Sequence, residues 1–107
     1  MRPGSPAADA PVRVHGQPVW LLGELGAGFT LLCFGPAPVA ELQVAGVKVR
    51  VITVGVDIEG ETGELIERYD GRPGTVYLIR PDQHVPARWR AWNIAKIEAA
   101  LRRCLHA

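Results

Sequence analysis

Tyr69–Arg90 reads YDGRPGTVYLIRPDQHVPARWR, and the arrangement of the rest of the chain follows from this stretch. Residues 75–80 are rich in β-branched and aromatic side chains, the composition of a strand. Pro81, Asp82 and Gln83 supply turn chemistry, because proline presets φ and aspartate can bond its own backbone. An extended pattern resumes over 84–90, with Val85, Ala87 and Trp89 on one face and His84, Arg88 and Arg90 among the polar positions. The stretch therefore predicts a β-hairpin.

The chain around it has 107 residues, enough for one domain with a single unstapled core. Apolar residues make up 48% and charged residues 21%, as in ordinary globular proteins. A formal charge of +1 leaves no basic field to hold a phosphate backbone, so no nucleic-acid partner is expected. The apolar runs are far short of a membrane span, and no membrane partner is expected. Residues 1–11 carry one arginine and no apolar run, unlike a secretory signal. Cys33 and Cys104 lie far apart with no CxxC. Low cysteine use without export points to the cytoplasm.

Residues 1–11 are rich in Pro, Ala and Gly and read as a linker or extended arm that packs no core. Residues 12–107 form the domain. Val12, Val14 and Val19 flank a turn at His15-Gly16-Gln17, and residues 20–25 suit a helical turn ending at Gly26. Phe29–Phe34 is a short apolar run suited to a strand buried on both faces. Residues 35–38 stop it. Val39–Ala45 is a helix candidate ending at Gly46, and Val47–Val56 is the strongest strand signal. Thr62 is placed to cap a short helix through Tyr69, with Leu65, Ile66 and Tyr69 inward. Asn93 then caps a last helix whose Ile94, Ile97, Leu101, Cys104 and Leu105 recur along one stripe. A β-α-β unit favours parallel pairing of the strands at 29–34 and 47–56, and the hairpin adds antiparallel strands. The expected fold is α/β and thioredoxin-like: a mixed central sheet with helices on both faces, and no redox CxxC.

Candidate chemistry is sparse. Cys33 sits between Leu32 and Phe34 in the expected core strand, the setting of an inert buried thiol rather than a reactive one. Cys104 reads as a packing residue of the last helix. A thioredoxin-type redox site needs two thiols at a helix start and a facing cis-proline. Here Gly35-Pro36-Ala37-Pro38 follows the strand, and Gly74 precedes Thr75 with Pro73 one position earlier. His15, His84 and His106 are scattered without ligand spacing. Asp57, Glu59, Glu61 and Glu64 lack the EF-hand pattern. Gly23, Gly26 and Gly28 form no phosphate-binding fingerprint. Trp89 and Trp92, beside Arg88 and Arg90, read as packing at the sheet rim under arginine stems rather than as base-stacking residues. No catalytic, cofactor-binding or metal-binding residue is assigned.

Three segments carry a resemblance. Leu25–Leu32 (LGAGFTLL), Gly46–Val54 (GVKVRVITV) and the hairpin over 72–90 resemble the C-terminal thioredoxin-like domain of FAD-dependent aromatic-ring monooxygenases, the phenol hydroxylase and 3-(3-hydroxyphenyl)propionate hydroxylase group. The likeness runs from about Asp9 to the last helix and rests on fold signatures. It implies a parent with FAD-binding and substrate domains, reduced by NAD(P)H and hydroxylating a phenolic ring. It also implies an accessory role for this segment in structure and subunit contacts, with a homo-oligomer possible. The flavin fingerprint has no counterpart in the chain, so no FAD or substrate position is carried over, and no cofactor is expected in the segment itself. On this reading the chain is a detached piece of a longer protein or a truncated reading frame. The alternatives are a stand-alone interaction module working through Trp89, Trp92 and the sheet edge, or a single-cysteine redox protein.

Overall fold

Phe29–Cys33 has no charge, no glycine and no proline, and its Thr30, Leu31, Leu32 and Cys33 are buried. Such a strand is stable only where both faces are covered. The computed structural model describes residues 4–61 and 63–105 and places this strand at the centre of a sheet. In chain order the strands are β1 (Ser5–Pro6), β2 (Pro11–Val14), β3 (Gln17–Trp20), β4 (Phe29–Cys33), β5 (Glu41–Val44), β6 (Val47–Thr53), β7 (Glu59–Gly60), β8 (Val76–Ile79), β9 (His84–Val85) and β10 (Ala87–Trp89). The helices are α1 (Leu21–Glu24), α2 (Glu64–Tyr69) and α3 (Ile94–Leu105). The main sheet has the order β10-β8-β4-β6-β5, with β4 and β6 parallel and every other pair antiparallel. A smaller sheet runs β3-β2-β7, and β1 pairs with β9.

Alternation along the central strands divides the core into two layers. Leu32, Ile52, Tyr77 and Ile79 point to one face, where Leu21, Leu25, Leu65 and Tyr69 cover them. Leu31, Cys33, Val49, Val51, Val76 and Leu78 point to the other, under Ile97, Ala100 and Leu101 of α3. The mixed sheet with helices on both faces is the thioredoxin-like α/β fold expected, without the CxxC. Asn93 caps α3 as its sequence suggests: the Lys96 amide donates to its side-chain oxygen at 3.1 Å. Burial of Ile97 and Leu101 contributes roughly 1.5–3 kcal/mol each.

Four local expectations are corrected. Val39–Ala45 is not a helix; its second half is β5, joined to β6 by a two-residue turn. Ala45 (φ 50°) and Gly46 (φ 81°) both lie in the left-handed region, which a type I′ hairpin requires. The return leg between the parallel strands is thus an edge strand. The chain passes from β4 to the outer edge, runs back as β5, and β6 inserts between the two. Ile66 is 54% exposed; α2 has only six residues and buries Leu65 and Tyr69 alone. Val85 does not share a face with Ala87 and Trp89. Pro86 interrupts the strand, so Val85 joins the α1/α2 layer while Ala87 and Trp89 pack on the α3 layer. The amide of Arg80 bonds the carbonyl of His84 although Ala87 pairs with Leu78, a one-residue slip of the kind a bulge makes.

The fourth correction concerns the N-terminal arm. Ala7 and Ala10 are buried in the α1/α2 layer, so residues 4–10 contribute to the core despite their linker-like composition. Small side chains let the backbone lie close against the sheet, where its polar groups find partners. Thr62, the expected cap of α2, lies outside the described residues, and Gly63 occupies the N-cap position.

Removing residues 1–10 should lower the urea-unfolding free energy by about 3–6 kcal/mol, the loss of the six hydrogen bonds that join residues 4–10 to the rest of the domain at about 0.5–1 kcal/mol each. An unchanged midpoint and slope would mean that the arm is only a linker.

Candidate functional site

In an open α/β sheet, ligands gather at the carboxyl ends of the parallel strands. Here that edge holds Phe34 and Gly35 after β4, Val54 after β6, and the segment Arg72–Thr75 that leads into β8. The two segments close on each other through their backbones. The Phe34 amide donates to the Thr75 carbonyl at 2.8 Å, and the Gly74 amide donates to the Phe34 carbonyl at 3.4 Å. A Cβ on Gly35 would stand 2.9 Å from the Gly74 nitrogen, closer than such contacts allow. Gly74 has φ +92°, which disfavours any side chain there. The place where a thiol pair would face a proline is filled by main chain from both sides.

The two cysteines are free. Cys33 is 1% exposed, and burial, reinforced by the Asp57 carboxylate, pushes its thiol up to about 11. A thiol so held stays protonated at neutral pH and is a poor nucleophile. Cys104 is half-buried on α3 and packs against the same layer.

The best-connected side chain is Tyr69. Its ring meets Tyr77 edge-on at 5.0 Å between centroids and lies 6.2 Å from Phe34. Its hydroxyl donates to the carbonyl of Ala8 at 2.5 Å, and its own carbonyl accepts from the Tyr77 hydroxyl. Burial and the neighbouring Asp9 carboxylate push its phenol well above the ordinary range. Asp9 itself accepts from the amides of Ala10 and Leu22, both at 3.0 Å, so one carboxylate holds the arm and caps α1. Arg68 donates to the Asp9 carbonyl at 2.5 Å. Gly71 admits the Phe34 ring: a Cβ there would overlap it. The hub ties the arm, α2, β4 and β8 together.

Of the remaining sequence candidates, His15, Asp57 and Glu59 share the lining of a groove of about 310 Å³ with Arg13 and Arg50, and the others serve separate structural contacts. His15 sits in the β2–β3 turn with φ 52°. His84 donates its amide to Asp82 at 3.2 Å, within the hairpin turn. His106 lies outside the described residues. Asp57 accepts from the Thr53 amide at 2.8 Å, Glu61 pairs with Arg13 at 2.7 Å, and Glu64 pairs with Arg68 at 3.0 Å. Among the described residues no group of three His, Cys, Asp or Glu converges as metal ligands would. Gly23, Gly26 and Gly28 surround α1 and the start of β4 and meet no side chain. Trp89 and Trp92 pack on the α3 layer. Arg88 reaches the Tyr77 hydroxyl at 3.4 Å, and Arg90 bonds Thr75 at 3.0 Å together with the Asp70 carbonyl and carboxylate. The Arg90 hydrogen bond holds Asp70 below the usual carboxylate range.

Open grooves remain at both ends of the sheet. A groove of about 680 Å³ at the carboxyl end is lined by Phe34, Val54, Ile66 and Pro73. One of about 400 Å³ lies between α3 and the hairpin. None of the described helices is long and apolar enough to cross a membrane.

The whole outline recurs in solved flavoenzymes. The chain superposes on part of aklavinone-11 hydroxylase, solved as a ternary complex with FAD and aklavinone, with a TM-score of 0.76 and 27% identity over 95% of this chain. It superposes as well on the flavin-dependent monooxygenase PieE, solved with FAD and substrate, with a TM-score of 0.74 and 26% identity over 97% of this chain. It spans only 21% and 20% of those two chains. The chain is similar to a domain-sized part of flavin-dependent monooxygenases. No protein-family model and no curated protein matches it.

The sequence showed the missing thiols at this edge, but not the contact that closes it. Gly35 and Gly74 lie far apart in the chain, and their significance appears only when β4 and β8 pair. The Tyr69 hub escaped notice because its partner is an arm carbonyl, which any residue could supply.

Two outcomes are expected. Gly35→Cys should lower stability by about 1–3 kcal/mol in denaturant titration, since the new Cβ overlaps backbone; wild-type stability would show that the edge has room for a thiol. Stability should fall as pH rises above 9.0, because the unfolded chain releases the Cys33 proton before the folded chain does at about 11. Tyr69 adds to the same trend at higher pH. Cys33→Val should flatten the first part of that slope, and an unchanged slope would remove Cys33 as its source.

Proposed function

We propose that the chain is a non-catalytic accessory domain of a FAD-dependent aromatic hydroxylase of the phenol hydroxylase type, placed C-terminal to FAD-binding and substrate domains and acting in assembly. The observation that carries this reading is the combination of a fold shared with two flavin-dependent monooxygenases over nearly the whole chain and a span of about one fifth of their length. The backbone closure at Gly35 and Gly74 supports an architectural role, because it occupies the edge where this fold would otherwise do redox chemistry. FAD and NAD(P)H would then belong to the parent, and cytoplasmic residence would follow from it. Oligomer contacts through this domain are part of the same reading.

A single-cysteine redox protein working through Cys33 is disfavoured by the burial and raised pKa of that thiol. A free-standing interaction module would share the same grooves without a flavin partner.

The test is the native gene product, isolated from its source through an antibody raised against this domain. The expected product is several times longer than 107 residues and yellow, and it oxidises NAD(P)H when a phenolic substrate is supplied. A colourless native product of this length would overturn the proposal.

A further inference from the structure

The groove at the carboxyl end of the sheet carries both halves of a contact. Phe34, Val54 and Pro73 line a hollow of about 680 Å³, and Ile66 of α2 lines it too while standing 54% exposed. One face thus has a projecting apolar side chain and a place to receive one. The hollow is formed in advance. The Phe34 ring is held between Tyr69 at 6.2 Å and Tyr77 at 6.3 Å, and Gly71 lets it lie against the backbone. A site ordered before contact loses little entropy when it is filled.

The charges on the same lining select the occupant. Glu67 makes no ion pair among the described residues. The Arg72 side chain is 73% exposed and reaches Asp70 only at 3.8 Å, and the Asp70 carboxylate is already held by Arg90. Glu67 and Arg72 therefore line one groove with opposite charges that do not meet within the chain. In a two-fold contact between like faces, residue i of one protomer meets residue j of its partner, and j meets i. Such a contact sets Glu67 against the partner's Arg72 twice. A lining of both signs matches a second copy of itself. The groove between α3 and the hairpin has Arg80 and Arg103 in its lining and no acid, so two copies of that face would repel.

We propose that the carboxyl-end groove is the contact face of a two-fold dimer of this chain. Ile66 of each protomer enters the hollow between Phe34, Val54 and Pro73 of the other, and Glu67 pairs with Arg72 across the axis. The proposal deepens the assembly role by naming the face and the partner, and rests on that reading only for its setting in a larger enzyme.

Sedimentation equilibrium of the 107-residue chain, from micromolar to millimolar concentration, reads the association directly. A monomer–dimer equilibrium is expected. Ile66→Ala, Glu67→Arg and Arg72→Glu should each weaken it about tenfold. All three positions are exposed, so the variants keep the fold, which circular dichroism checks. The two charge reversals together should bring the dissociation constant back to within about threefold of wild type, since the pair is restored with its signs exchanged. Arg103→Glu, at an exposed position of α3 on the opposite layer, should leave it unchanged. A chain that stays monomeric at millimolar concentration would overturn the proposal. So would assembly beyond the dimer, weakening by Arg103→Glu, or a double reversal that is no better than either single one. The accessory-domain reading fails separately: a dimer with these properties in a colourless native product of this length would remove that reading and leave this contact standing.

Discussion

The structure depends on β4 being buried on both faces. Its residues alternate between two hydrophobic layers, and every other element is placed by the need to cover one of them. On one side that need is met by α3, a twelve-residue helix with a clear apolar stripe. On the other it is met piecemeal, by a four-residue helix, a six-residue helix and the arm. Short helices are marginal on their own and derive their order from packing. This explains the dense bonding around Tyr69 and Asp9. The layer built from weak pieces is the one held by side-chain hydrogen bonds to backbone.

The same constraint closes the carboxyl edge of the sheet. With β4 and β8 paired to their ends, the strand termini meet as glycine against glycine, and no side chain fits between them. The grooves that remain are open, and among the described residues no group of three His, Cys, Asp or Glu converges as metal ligands would. A domain of this build offers surface. Its proposed role beside a flavin-bearing partner uses that surface and leaves electron and oxygen transfer to the rest of the enzyme.

The elements that sequence disclosed are those with strong local patterns. The central strands, the hairpin and α3 follow from runs of β-branched residues, turn chemistry at Pro81–Gln83 and a capped apolar stripe. The failures share a physical cause. Residues 39–45 look helical because Ala45 stands where a type I′ turn usually has Asn, Asp or Gly, so nothing local marks the hairpin. The face of Val85 is set by a slip at Pro86, and a single-residue slip inverts a period-two reading. The arm seems too small to pack, yet smallness is what lets Ala7 and Ala10 fit against the sheet. In each case long-range pairing overrode a local preference.

In its proposed role this domain supports a flavin-dependent hydroxylase without taking part in its chemistry. The decisive measurement is turnover per bound flavin after the domain is deleted from the long flavoprotein. Turnover per flavin should be kept to within a few-fold while thermal stability or subunit association is lost. Retained flavin and an intact remainder, with turnover abolished, would contradict it.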